Sequence, residues 1–301
     1  MRRKNVVRRP VRWYPIPMAK IRLLALILAL ALLGGCAPVG AAMERPLDTA
    51  PPRSPAPTAA RVDLWLDAAT PGPTLSPRPS PSPTPTPAPT KDPNRPMIAL
   101  TFDDGPNLEF TPQVLDLLEE YGIKGTFFVI GSNLSERTRP ILQRMADMGC
   151  DIGMHGLTHT DMTRFSAATN ASRFEKMRKL ISDQIEGGYD THLLRPPFGS
   201  LNKVVRRACK TAQVASIRWS VDTLDWSNKN PAAIMKYVQK GAKNGRIILF
   251  HDRLSTTVTA LEQVIPWLLE EGYDLVTVTE LIESSGKPLA YGEDYQRKPG
   301  T

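Results

Sequence analysis

Two adjacent carboxylates, Asp103 and Asp104, close the apolar run Met97-Ile98-Ala99-Leu100-Thr101-Phe102 and are followed at once by Gly105-Pro106. Asp-Gly is a common turn dipeptide. A strand that ends in paired acids can also present a metal ligand and a general base side by side. The chain holds four histidines, His155, His159, His192 and His251. Two of them stand four residues apart, just after the strand-like Asp151-Ile152-Gly153-Met154. That spacing lets two imidazoles converge from one turn or a tight loop on a single ion. Asp104 would supply a third ligand. Two histidines and one aspartate leave a coordination position for water, as a catalytic rather than a structural metal site requires.

Three further clusters follow. Arg195-Pro196-Pro197-Phe198-Gly199 comes after the apolar Leu193-Leu194. Asp222-Thr223-Leu224-Asp225-Trp226 comes after a strand-like segment from Ser216 to Val221. Leu249-Phe250-His251-Asp252 ends the run that begins at Ile247. Each has an ordinary reading on its own: a Pro-Pro turn, a helix start with a packed indole, a strand end. Their recurrence is harder to explain that way, because five strand-like runs each end in groups suited to acid, base or metal chemistry.

With these residues in place the chain resembles the NodB-type polysaccharide deacetylases, carbohydrate esterase family four. That family carries five ordered motifs: Thr-Phe-Asp-Asp, His-Ser/Thr-x-x-His, Arg-x-Pro-x-Gly, Asp-x-x-Asp-Trp and Leu-x-His. All five occur here in that order between Thr101 and His251. The resemblance spans residues 96–285, taken as the deacetylase domain. There are two departures. Gly156 stands where the family has a small hydroxyl residue that braces the loop of the second histidine. Phe198 stands where tyrosine is frequent, a change of little weight if the position acts through its backbone N–H.

The resemblance implies a role for each residue. Asp104, His155 and His159 hold a divalent ion, zinc first, with cobalt, nickel and manganese as alternatives. Asp103 is the catalytic base, and Arg195 orients it and balances its charge. The backbone N–H of Phe198 contributes to the oxyanion site. His251 is the general acid, supported by either Asp222 or Asp225. Trp226 and Leu249 line the cleft, Leu249 near the acetyl methyl group. The implied fold is an irregular (β/α)7 barrel of the α/β class.

The elements that must position these groups agree with that fold. Strand-like runs lie near 97–102, 125–130, 150–154, 193–195, 215–221, 246–251 and 273–276. Helical patterns separate most of them. The first is signalled by Thr111 as N-cap, Pro112 in the first turn, apolar Val114, Leu115, Leu117 and Leu118, and Gly122 past the end. Others run near 133–148, 168–186, 202–213, 231–243 and 257–271, the last with Pro266 expected to kink it. Alternating strands and helices predict a parallel sheet with chemistry at the C-terminal strand ends. Roughly 190 residues are ample for one core. Residues 286–301 read as a C-terminal tail.

The first third of the chain is different in kind. Residues 21–33 are apolar apart from Arg22 and lead into Gly34-Gly35-Cys36. This run is shorter than the about 20 residues of a membrane span and suits a signal-peptide core. Leu33-Gly34-Gly35-Cys36 looks like a lipobox, which makes residues 1–35 a lipoprotein signal peptide and Cys36 the lipidated N-terminus. Met18 offers an alternative start, with a compact basic segment of Lys20 and Arg22. The formal net charge of +8 comes from this leader, whose eight basic residues face no acid; the remainder carries 30 basic against 30 acidic residues. The charge therefore gives no support for nucleic-acid binding. Residues 36–95 form a Pro/Ser/Thr-rich linker, expected to be disordered. Eleven of the 26 residues from Pro71 to Pro96 are proline. At roughly 3.1 Å per residue that stretch would reach about 80 Å.

A lipid anchor and an extended spacer place a monomeric catalytic domain outside the cytoplasm, facing the cell wall. The expected reaction is removal of N-acetyl groups, with release of acetate, from N-acetylglucosamine of peptidoglycan. Chitin oligomers, an exopolysaccharide or O-acetyl xylan are alternative substrates, and a catalytically silent glycan-binding module is the alternative of another class. Cys150 and Cys209 are open between a disulfide and buried free thiols.

Overall fold

The computed structural model describes residues 95–301. The leader, Met18, Cys36 and the Pro-rich linker lie outside the described residues. Within them the strands are β1 (Met97–Asp103), β2 (Thr126–Val129), β3 (Asp151–Met154), β4 (Leu193–Leu194), β5 (Ala215–Ile217), β6 (Val221–Asp222), β7 (Arg246–His251), β8 (Asp274–Val276) and β9 (Asp294–Tyr295). The helices are α1 (Phe110–Glu120), α2 (Arg139–Asp147), α3 (Ala167–Ser182), α4 (Lys203–Thr211), α5 (Pro231–Gly241), α6 (Ser255–Glu270) and α7 (Val278–Glu283). The strands pair in parallel in the order β6-β7-β1-β2-β3-β4-β5-β9, with β8 on the first half of β1. The result is a curled, incomplete (β/α)7 barrel.

Strand periodicity explains how the sheet aims its chemistry. Successive side chains of a strand alternate between faces. On β1, Ile98, Leu100 and Phe102 pack outward under the helices, whereas Met97 and Ala99 belong to a separate inner cluster. Thr101 and Asp103 continue that inner face. The same count holds on the other strands. Ile247 is inward, so Leu249 and His251 are too; Leu193 is inward, so Arg195 follows. Phe128, Ala215 and Ile217 fill the interior between them. All of the β1 residues are buried, which accounts for its near-continuous apolar sequence.

Several expectations need correction. Thr111 is not a helix cap. It lies inside α1, fully buried, and Asn107 Oδ1 instead accepts the first N–H groups, from Glu109 and Phe110. The expected strand at 215–221 is two strands, because the chain leaves β5, which lies between β4 and the edge strand β9, and crosses to the opposite edge, where β6 pairs with β7. The expected helix at 133–148 begins only at Arg139, after a short 3-10 turn at Gly131–Asn133. Helix α6 runs uninterrupted through Pro266. Helix α7 was not anticipated. Its Val278, Leu281 and Ile282 plug the floor of the barrel, and Thr277 and Glu280 cap it reciprocally.

The stretch 286–301 is also more than a tail. Strand β9 pairs with β5, and Arg297 bridges to Arg246 of β7, so this segment spans the seam that the incomplete barrel leaves open. Asp294 there accepts hydrogen bonds from Arg218 Nε at 3.0 Å and Ser216 Oγ at 3.3 Å. Cys150 and Cys209 are buried free thiols, pushed up to about 11 and about 12 by burial.

Candidate active site

The C-terminal ends of β1, β3, β4 and β7 meet around a cavity of about 450 Å³. Asp103, the last residue of β1, is paired in register with His251, the last of β7, so both side chains stand on the inner face. Asp104 follows in a left-handed conformation, φ 74°, which turns its carboxylate toward the loop after β3. Its Oδ1 lies 3.5 Å from His155 Nε2 and 3.6 Å from His159 Nε2. The three donor atoms all fall within 4.8 Å of one another.

These residues fit a cation. Asp104 Oδ1 is buried and has no hydrogen-bond partner, an expensive arrangement unless a positive group completes it. His155 Nδ1 is 2.7 Å from the Arg195 carbonyl, which can only accept, so Nδ1 carries the proton and Nε2 presents its lone pair. Burial lowers the pKa of His155 against the pull of Asp103 and Asp104, which favours the neutral, ligating form. His159 is one-third exposed and sets its ring edge-on to Phe198 at 4.4 Å.

Behind this set stands Arg195, with no exposed surface. Its NH1 donates to Asp103 Oδ1 at 2.7 Å and to Thr101 Oγ1 at 2.8 Å, Nε donates to Ile217 O, and NH2 donates to Arg218 O. The guanidinium lies over the Phe128 ring at 4.2 Å. Burial lowers its pKa and Asp103 restrains the fall. Gly153 makes this packing possible, since a Cβ there would stand 2.6 Å from the Phe128 ring.

On the opposite flank, His251 Nδ1 donates to Asp225 Oδ1 at 2.7 Å. Asp225 is fully buried and also accepts from the His251 N–H, the Trp226 N–H and Thr257 Oγ1. Burial pulls the His251 pKa down, but the hydrogen bond and charge of Asp225, with the charges of Asp103 and Asp104, outweigh it and leave it above the ordinary histidine value. Asp222 does none of this. It lines the cavity and accepts the Leu224 N–H at 2.9 Å, shaping the loop. The supporting carboxylate is therefore Asp225.

The sequence of this chain matches the family model described as polysaccharide deacetylase over residues 90–217. It is 37% identical over 201 residues to a peptidoglycan-N-acetylglucosamine deacetylase of Bacillus cereus, covering 63% of this chain and 89% of that protein. The chain belongs to the polysaccharide deacetylase family. It is also 37% identical over 198 residues to the peptidoglycan-N-acetylglucosamine deacetylase PgdA of Listeria monocytogenes, of which it spans 41% of the length against 66% of its own. Among solved structures it resembles the Xyl-CE4 domain of a multidomain xylanase from the hindgut metagenome of Trinervitermes trinervoides. There the TM-score is 0.64 at 36% identity, covering 69% of this chain and all of that one.

The remaining walls of the cavity are largely aromatic and apolar. Phe198 is 64% exposed and holds a left-handed φ of 61° within the 3-10 turn Pro197–Gly199. Trp226 is about half exposed, and Leu249 lies at the base. Trp219 lines the cavity as well and was not foreseen, because it sits in the crossing between β5 and β6 rather than after a strand. Arg253 was missed too: it lines the cavity and donates from Nε to Asp104 Oδ2 at 2.9 Å. Neighbouring Asp252 is fully buried, accepts from Thr111 Oγ1 at 2.6 Å, and is pushed up to about 7 by burial. Its carboxyl lies where a Cβ on Gly105 would be, so the glycine of the first motif makes room for it.

Gly156 turns with φ 91°, a conformation that favours glycine. A Cβ there would come within 3.0 Å of the Thr158 carbonyl. Backbone bonds brace the loop in place of a hydroxyl: Gly131 N–H donates to Gly156 O, and Ser132 N–H donates to Leu157 O, each at 2.9 Å. Thr158 and Thr160 add a hydroxyl pair at 2.9 Å.

Proposed function

We propose that this chain is a lipid-anchored, extracytoplasmic, metal-dependent deacetylase that removes N-acetyl groups from N-acetylglucosamine of peptidoglycan and releases acetate. One observation carries the chemistry. Within a single cavity the Asp104, His155 and His159 donor set is flanked by Asp103 on one side and His251 on the other, each held by its own buried partner. A binding module needs no such pair.

Asp104, His155 and His159 hold the ion, and two imidazoles with one carboxylate suit zinc. When bound, it acidifies water and polarises the acetyl carbonyl. Asp103 accepts the proton of the attacking water, and Arg195 keeps that carboxylate oriented and balances its charge. The backbone N–H of Phe198 donates to the developing oxyanion. His251 gives its proton to the leaving amine, with Asp225 holding the imidazolium in place. Leu249 contacts the acetyl methyl group, and Trp226 forms a wall for the sugar. The relatives named as peptidoglycan-N-acetylglucosamine deacetylases support the choice of substrate. An anchor at Cys36 would place the domain, working as a monomer, against the cell wall.

Acetate release from peptidoglycan, chitin oligomers and acetylated xylan, with and without a chelator, tests this reading. Release from peptidoglycan should exceed the others, stop with chelator, return with zinc and vanish in Asp103→Asn. An ion-loaded protein that frees no acetate from any of these glycans would overturn it. Mass spectrometry of the N-terminal peptide tests acylation of Cys36.

A further inference from the structure

Asp104 is fixed at two points besides its backbone conformation. Its carbonyl accepts a hydrogen bond from Asn133 Nδ2 at 2.8 Å, and its Oδ2 accepts from Arg253 Nε at 2.9 Å. Arg253 sits in the short link between His251, which ends β7, and Ser255, which begins α6. Its side chain is about half exposed, and Asp104 is its single hydrogen-bond partner among the described residues. With Oδ2 taken, the carboxylate cannot rotate freely, and Oδ1 is left buried, without a partner, between the two imidazoles.

We infer that Arg253 is a positioning residue for the metal site: its Nε hydrogen bond holds Asp104 so that one oxygen alone faces His155 and His159. This rests on the proposed reading that these three residues bind a divalent ion. The role belongs to the bond and not to the charge. Outer partners that orient ligating groups generally matter 10–100-fold for metal affinity. A bare cation beside the site would act in the opposite sense, by repelling the ion.

The two effects separate cleanly because the contact is made through Nε. Glutamine places its amide nitrogen the same number of bonds from the backbone as arginine Nε, so Arg253→Gln keeps a donor and removes the charge. Arg253→Met removes both. The experiment measures zinc affinity of the wild type and both variants by competition with a chromophoric chelator, with Co²⁺ absorption spectra as a second readout. Thermal melting of the metal-free proteins checks that the half-exposed side chain is dispensable for folding. Arg253→Met should bind zinc about 10–100-fold more weakly and change the Co²⁺ spectrum, whereas Arg253→Gln should bind zinc at least as tightly as the wild type and keep its Co²⁺ spectrum. Wild-type affinity in Arg253→Met, equal weakening in both variants, or tighter binding in both would each overturn the inference. A wild-type protein that binds no zinc would instead sink the metal reading on which it rests.

Discussion

The two ends of the barrel solve the burial of polar groups in opposite ways. At the mouth, Asp104, Phe198 and Leu224 hold left-handed backbone conformations without being glycine, and Asp104 Oδ1 is buried with no partner. At the seam near the floor, the mostly buried Asp294 is saturated by Arg218, Arg206 and Ser216. Burial there raises the pKa of Asp294, yet Arg218 more than reverses it and keeps the carboxyl below its ordinary value. The floor itself is closed by apolar α7 with a reciprocal cap. At the mouth, the left-handed residues and the partnerless Asp104 oxygen stand in or beside the metal-ligand set. At the seam, the ion pairs have only to hold the fold together.

Arg195 is the severest challenge to that division, since it stands at the mouth and yet forms a completed, fully buried ion pair. Arg195→Ala removes four hydrogen bonds from a fully buried side chain and strands Asp103 as an unpaired charge. Denaturant unfolding should show a loss of about 3–5 kcal/mol, and deacetylation should vanish with it. If stability holds while activity alone is lost, Arg195 is purely a mouth residue. His251→Ala should behave as the mouth predicts. Turnover should fall about 10²–10⁴-fold, while metal content stays close to wild type. Full turnover in this variant would remove the general-acid role.

The same contrast explains what the sequence revealed. Each mouth residue follows an apolar strand, so a period-two count from the inner positions places Asp103, His155, Arg195, Leu249 and His251 on one face. The first six helices and β1 were readable from their apolar spacing. Arg253 and Trp219 were not, because they stand in links whose course depends on where the chain crosses the sheet. The floor was hidden for a related reason. Helix α7 is six residues long and β9 is two. Both are too short to show a period, and they are ordered by what they plug. Thr111 looked like a cap by residue type, but its hydroxyl is spent on Asp252, a contact across 141 positions.

Asp294→Ala tests the floor directly. It would leave Arg218 partly buried without its carboxylate, a cost of about 1.5–3 kcal/mol. The melting temperature should fall, and turnover per folded molecule should not change. A fall in turnover at constant stability would mean that the C-terminal segment reaches the chemistry.

The finest test compares Asp225 with Asp222, two carboxylates three residues apart at the same rim. The general acid works while protonated, so the basic limb of the pH–rate profile tracks the His251 pKa, which lies above the ordinary histidine value. Asp225→Asn removes the nearest charge that raises it, leaving burial, which lowers it, opposed only by the more distant Asp103 and Asp104. The basic limb should therefore move toward acid, and the loss should grow as pH rises. Asp222→Asn touches only the Leu224 N–H and should leave the limb in place. A limb that moves equally in both variants would mean that the rim field, rather than one hydrogen bond at 2.7 Å, sets the charge on His251.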